Sequence, residues 1–188
     1  MTHFTVHSLE SAPAGSRPML EGIKNTFGFV PNLYAAIAES PAALQGALAI
    51  GEAYSKSSLS PAEQQLVALA VSEVNGCQFC VAAHSLIAKH MAKADPAHVA
   101  AVRNGEPLTD ARLNALITFV RKVTEQRGLV AETDLAAFLK AGYSKAQVME
   151  VLLSVGMKTF NNYVAHITEI PLNDQLKAEA WTPNKKVA

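Results

Sequence analysis

Apolar and polar residues alternate at helical spacing along most of this chain. In "LTDARLNALITFVRKVTEQRG" the apolar positions Leu113, Leu116, Ile117, Val120 and Val123 recur every three or four residues, and Gly128 closes the segment. Two helix starts carry strong local signals. Ser40 precedes Pro41 and the apolar Leu44, Leu48 and Ile50, while Ser60 precedes Pro61 with Glu63 at the third helical position, the pattern of a capping box. The unbroken apolar run from Leu66 to Val71 predicts a helix buried over most of its surface. Asn75-Gly76 interrupts it, and a new helix starts there with Cys77 in its first turn. "DPAHVAAVRNG", "AETDLAAFLKAGY" and "SKAQVMEVLLSVGMKTFNNYVAHITEI" predict further helices. Alternation of β-branched residues is absent, so the expected fold class is all-α, a compact array of short helices. Residues 1–18 read as an extended arm, residues 59–90 as the motif-bearing core, and residues 171–188 as an irregular polar tail. "YSKAQVMEVLLSV" faintly echoes "LSPAEQQLVALAV".

At 188 residues the chain suits a single domain with a substantial core. Lys+Arg and Asp+Glu both number 16, and this balance argues against nucleic acid or a membrane surface as a partner. The opening "MTHFTVHSLESAPAGSRP" lacks a charged start followed by an apolar block, and no apolar run approaches the roughly 20 residues that span a bilayer. The expected location is cytoplasmic. There, a close cysteine pair points to metal binding or catalysis before it points to a structural staple.

Both cysteines lie in "SEVNGCQFCVAAHSLIAKH". Cys77, Cys80 and His84 have the i, i+3, i+7 spacing that shares one helix face, and His84 sits one turn beyond Cys80, within hydrogen-bonding reach of its thiol. Three readings compete. The cysteines could be small buried residues with a histidine nearby by chance. They could be part of a zinc site, but a closed site needs a fourth ligand. There is no second CxxC, and His90 is too far along the same helix. They could be a redox pair at a helix start, where unpaired N–H groups and the helix dipole stabilise a thiolate. Physics favours the third reading, and on helix position alone Cys77, nearer the helix start, is expected to be the more acidic thiol.

"LSPAEQQLVALAVSEVNGCQFCVAAH" resembles the core of the alkylhydroperoxidase D (AhpD)-like proteins, in the peroxidase-related branch of the carboxymuconolactone decarboxylase superfamily. The upstream "FGFVPNLYAAIAESPAALQGALAIGEAYSKSSLS" and downstream "FNNYVAHITE" resemble it as well. The resemblance implies an all-helical subunit that assembles as a trimer or hexamer and reduces hydroperoxides through a dithiol, without an organic cofactor or metal. It implies that Cys80 is peroxidatic, Cys77 resolving and His84 the assisting base. It also implies an external dithiol reductant, a lipoylated protein in the family scheme. The family pattern has a glutamate where Gln65 stands and a histidine where Phe79 stands. Glu73 is the candidate replacement in the proton relay, ahead of Glu63, for which the capping role is the simpler explanation. By the same resemblance Asn162, Tyr163 and His166 are candidate pocket residues. Alternative functions are a decarboxylase-like reaction on the same fold and a redox-sensing stress protein with little turnover.

Overall fold

The computed structural model describes residues 4–183, so the outermost ends of the expected arm and tail lie outside the described residues. Among the described residues the chain forms helices only: α1 Arg17–Phe27, α2 Asn32–Ile37, α3 Pro41–Ser55, α4 Pro61–Val74, α5 Gln78–His90, α6 Pro96–Arg103, α7 Ala111–Glu125, α8 Glu132–Lys140, α9 Lys145–Thr168, and a 3-10 helix, Asp174–Glu179. The expected all-α class is the observed one. No helix among the described residues is long and apolar enough to cross a membrane.

The helix starts follow the local chemistry read from the sequence. Ser40 and Ser60 accept hydrogen bonds from the backbone N–H three residues on, and Ser60 with Glu63 forms the complete capping box. The echo segment begins in the same way, Ser144 and Gln147 forming a capping box for α9. Glu63 does more than cap: it accepts from Arg112 at 2.7 Å and from the Tyr143 hydroxyl at 2.9 Å, which ties α4 to α7 and to the start of α9. The structural role expected for Glu63 is therefore the observed one.

Helix α4 is central. Every residue from Leu66 to Ser72 is buried, because α5, α6, α7 and α9 pack around it. One apolar cluster gathers α4 and α6–α8 with the first half of α9. A second is built from the N-terminal arm, α1–α3 and the C-terminal segment. Helix α5 divides its residues between them: Val81 and Ala88 face the first, whereas Cys77, Phe79, Cys80 and Ala82 face the second. The cysteines are thus roofed by the first 50 or so residues of the chain.

Both ends are tied down more firmly than an arm and a polar tail suggest. Ala12 is buried, and the buried Ser16 hydroxyl donates to Ala38 O at 2.7 Å. After Pro171 the chain is not uniformly irregular. Leu176 is buried in the 3-10 helix, Glu179 accepts from Lys89 and Arg103, and the Trp181 indole donates to Arg103 O at 2.9 Å. Three anchor residues spaced three and two apart within polar sequence leave no periodic signal.

Candidate active site

The turn at Asn75-Gly76 places the first cysteine. Gly76 has φ +68°, the left-handed conformation in which a side chain is strained. Around it the Cys77 N–H donates to Ser72 O and the Gly76 N–H to Glu73 O, both at 2.9 Å. These paired bonds close α4 as a Schellman motif and deliver Cys77 directly to the start of the next helix. Cys77 is the N-cap of α5, one position ahead of the first turn expected for it. Its Sγ takes the place of a capping oxygen and accepts from the Cys80 backbone N–H at 3.3 Å.

Both thiols are free and buried. Burial pushes the Cys80 thiol up, as it must for any group that becomes an anion. That effect is outweighed by a hydrogen bond from the Cys77 thiol, the charge of Lys158, and hydrogen bonds from the Asn162 amide and the Lys158 ammonium. The net direction is down, so Cys80 ionises more readily than an ordinary thiol. Cys77 moves up, because it gives its proton to the hydrogen bond with Cys80, is itself buried, and faces the Cys80 charge. This reverses the order expected from helix position. The N-terminal N–H nearest the pair is spent on capping by Cys77 Sγ, and the order is set first by the hydrogen bond that Cys77 donates to Cys80, with Lys158 and Asn162 of α9 adding to it.

His84 is enclosed by protein and keeps its remaining surface toward the cavity described below. Its Nδ1 lies 2.9 Å from Gln65 Oε1. A carbonyl oxygen only accepts, so Nδ1 carries the proton and Nε2 keeps a lone pair. Burial, and then the charge of Lys158, hold the ring well below the ordinary histidine range, so it is neutral. Gln65, which stands where the family pattern has a carboxylate, orients the imidazole and fixes its tautomer.

The other expected residues separate. Asn162 is fully buried: its Oδ1 accepts from Asn75 at 2.9 Å and its amide reaches Ser72 Oγ and the Cys80 sulfur, so it joins α9 to the cysteine turn. Glu73 does not reach the cavity. It forms an ion pair with Arg121 at 3.5 Å and packs beside Gly105, because the Gly76 turn swings α5 away from the end of α4. The relay expected from Glu73 is corrected accordingly. Tyr163 and His166 do not line the cavity that holds Cys80, and in the single chain both are exposed.

The residue that sequence reasoning missed is Lys158. It is 2% exposed, and no carboxylate forms an ion pair with it among the described residues. Its helix buries polar residues beside apolar ones and exposes an apolar stripe. At about 100° per residue, Met149, Leu152, Phe160, Tyr163 and Ile167 share one narrow stripe, and all five are exposed. Ser154, Lys158, Asn161 and Asn162 lie on the opposite side, and all four are buried.

A cavity of about 880 Å³ opens above the sulfur. Its walls are mostly apolar, with Met19, Ile23, Phe27, Leu48, Phe79 and Ile87 among them. Gly22 and Gly51 also face it, and a Cβ at either would meet no heavy atom within 4 Å. Cys80, His84, Gln65, Tyr34, Lys158 and Asn161 are among its polar lining residues, together with Thr26, Glu52, Ser55 and Gln64. Among the described residues no group of three or more His, Cys, Asp or Glu side chains is placed to hold a metal ion.

Residues 39–122 match the carboxymuconolactone decarboxylase family. No curated protein matches the chain by sequence. Among solved structures, a peroxidase-related protein with the alkylhydroperoxidase AhpD core from Ralstonia eutropha JMP134 superposes with a TM-score of 0.82 at 22% identity, over 93% of each chain. A peroxidase-related protein from Silicibacter sp. TM1040 gives 0.78 at 23% identity, over 93% of this chain and 95% of the other. The debrominase Bmp8, solved as a cysteine-to-alanine variant with 2,3,4-tribromopyrrole, gives 0.79 at 16% identity, over 95% and 96%. At these identities the likeness is one of fold, and one fold carries different chemistries. The segment that matches the carboxymuconolactone decarboxylase family thus spans the cysteine turn, and the chain shares the fold of the AhpD-core structures over more than nine-tenths of its length.

Proposed function

We propose that this protein is a thiol-dependent peroxidase for apolar organic hydroperoxides. The observation that carries the reading is a buried Cys80, its thiol made acidic by Cys77 and Lys158, at the polar end of a large apolar cavity. The Cys80 thiolate attacks the terminal oxygen of RO–OH, the O–O bond breaks, and sulfur is oxidised to a sulfenic acid. The Cys77 thiol, already hydrogen-bonded to that sulfur, condenses with it, releasing water and forming a Cys77–Cys80 disulfide. An external dithiol, a lipoyl group on a partner protein in the family scheme, restores the pair by exchange in a reducing, cytoplasmic setting. The two electrons come from the thiols, so the cycle needs neither metal nor organic cofactor. His84, neutral with Nε2 free, serves as the proton acceptor beside the pair.

The test is stoichiometric. Reduced protein mixed with cumene hydroperoxide should consume one equivalent and lose two thiols, with two hydrogen masses missing from the peptide that holds Cys77 and Cys80. Unchanged thiols with unconsumed hydroperoxide would sink the reading.

Self-association belongs to the same proposal. The exposed stripe Met149, Leu152, Phe160, Tyr163 and Ile167 is a continuous apolar face on a long helix, and the resemblance implies a trimer or hexamer of this chain. The formal charge of zero offers little repulsion between copies. Ile167→Glu should lower the mass measured by sedimentation toward that of one 20.0 kDa chain, leaving the helical content intact. A wild type that sediments as a monomer at micromolar concentration overturns this part.

A further inference from the structure

Two residues of the cysteine site, both on the buried side of α9, have features that the cycle above does not use. Lys158 is buried without a carboxylate partner among the described residues. Asn161, three residues on, is 6% exposed, and its Oδ1 has no hydrogen-bond partner there. Both line the cavity that Cys80 lines, in walls that are otherwise largely apolar. Buried acceptors without a donor are rare in folded proteins, so an orphan oxygen on a residue that lines a cavity signals a missing donor.

The chemistry also lacks a component. Cleaving RO–OH creates an alkoxide, which needs a proton as it leaves. His84 cannot supply it, because its one ring proton is committed to Gln65. Gln65 has no acidic proton, and Glu73 is engaged with Arg121. Tyr34 lines the cavity, but burial and the charge of Cys80 make its phenol hold its proton more tightly than usual.

We infer that Lys158 and Asn161 form the head-group site for the hydroperoxide, with Lys158 the general acid that protonates the leaving oxygen and Asn161 Oδ1 the acceptor that holds the hydroperoxide O–H. This assignment rests on the peroxidase reading and extends it. The O–H bonded to Asn161 fixes the terminal oxygen in front of Cys80, and the ammonium that donates to the Cys80 sulfur in the resting state is within reach of the inner oxygen. Cys80–S⁻ and RO–OH give Cys80–SOH and RO⁻, and RO⁻ takes a proton from the Lys158 ammonium to leave as ROH. Cys80–SOH and the Cys77 thiol then give the disulfide and water. Reduction by the external dithiol returns a thiol at Cys77, a thiolate at Cys80 and one proton, which recharges the Lys158 amine. The net reaction is ROOH plus dithiol to ROH, water and disulfide.

A general acid typically contributes on the order of 100-fold or more, and its loss makes the rate depend on how well the leaving group departs unaided. The experiment measures single-turnover reduction of tert-butyl hydroperoxide and a set of ring-substituted cumene hydroperoxides by wild type, Lys158→Met, Lys158→Arg and Asn161→Leu. Thiolate content is followed by its ultraviolet absorbance in each. Wild-type rates should vary little with the acidity of the leaving alcohol. Lys158→Met should be slower by about 100-fold or more after correction for thiolate content, with rates that climb steeply as the alcohol becomes more acidic. Lys158→Arg keeps the positive charge and the thiolate but releases no proton near neutrality, and should show the same steep dependence. Asn161→Leu should weaken saturation by hydroperoxide more than it lowers the saturating rate. If Lys158→Met stays as insensitive to the leaving alcohol as wild type, or if Tyr34→Phe alone acquires the sensitivity, Lys158 is not the acid and the assignment falls while the peroxidase reading stands. If the wild type reduces no hydroperoxide, the reading and the assignment fall together. Methionine fills nearly the volume of lysine, so the variant is expected to fold, and Lys158→Arg gives an independent check.

Discussion

Cys80→Ser should lower hydroperoxide turnover by on the order of 1,000-fold or more, whereas Cys77→Ser should keep a single rapid turnover and lose the cycle. The asymmetry follows from the buried pair. At position 80 the hydrogen bond from Cys77, the charge of Lys158 and the Asn162 amide all stabilise an anion on sulfur. A serine hydroxyl there stays protonated at neutral pH and leaves those donors without a nucleophile. At position 77 serine is a better N-cap than cysteine, and its hydroxyl can still donate to the Cys80 sulfur, so the thiolate and the start of α5 should survive. What disappears is the second sulfur that would condense with the sulfenic acid. Pre-steady-state consumption of cumene hydroperoxide, with dimedone to trap sulfenic acid, separates the two roles. Cys77→Ser should consume one equivalent in a burst and carry the dimedone mass on Cys80. A burst that persists in Cys80→Ser and vanishes in Cys77→Ser would exchange the roles of the two cysteines.

Legibility in the sequence followed the range of the interactions. The capping boxes at Ser60 and Ser144 were readable because each is complete within four residues. The Cys77–Cys80–His84 face was readable because one helix holds all three. The acidity order of the thiols was not, because it depends on which thiol donates to the other and on Lys158 and Asn162, which lie on another helix far along the chain. A buried lysine in an alanine-rich helix has the same local pattern as an exposed one. Helix α9 carried a signal that could not be decoded: apolar residues recur on both of its sides, and periodicity does not say which side turns inward. Here Lys158 and Asn162 are buried against Cys80 beside apolar core residues, and one apolar stripe is exposed. "NNYVAH" accordingly contributes Asn161 to the cavity and Asn162 to Cys80, while Tyr163 and His166 stand outside. Glu73 was misplaced for a similar reason. Four residues of separation from Cys77 suggests proximity along one helix, but the left-handed Gly76 between them redirects the chain, and Glu73 finds Arg121 instead. The placement of Gln65 opposite His84 needed α4 and α5 to be seen packed together.

Stability of the reduced protein should rise with pH to a maximum near the ordinary thiol pKa and fall beyond it, whereas the oxidised protein should lose that maximum. In the unfolded chain both thiols titrate at about 8.5. In the folded chain Cys80 titrates lower and Cys77 higher. Between the folded value of Cys80 and about pH 8.5 the unfolded chain therefore binds more protons, and stability climbs with pH. Above about pH 8.5 the unfolded chain releases a proton that folded Cys77 retains, and stability declines. His84 adds a second slope of known sign. Burial and the Lys158 charge depress its folded pKa, so its contribution is present above about pH 6.5 and is lost as pH falls below that value. Tyr34, which burial and the Cys80 charge push up, adds to the decline only at still higher pH. Each proton taken up or released changes stability by at most about 1.4 kcal/mol per pH unit, which is roughly 3 °C of Tm for a domain of this length. The measurement is Tm by calorimetry across about pH 5 to 10, on protein kept reduced and on protein oxidised to the Cys77–Cys80 disulfide. The disulfide shifts the height of the curve, but its shape reports the protons. With no thiol left to ionise, the oxidised curve should rise through the His84 range and then run flat to about pH 9. Curves of the same shape in both redox states would mean that the two buried thiols do not hold one proton between them, and the acidic Cys80 on which the catalytic cycle depends would be lost with that result.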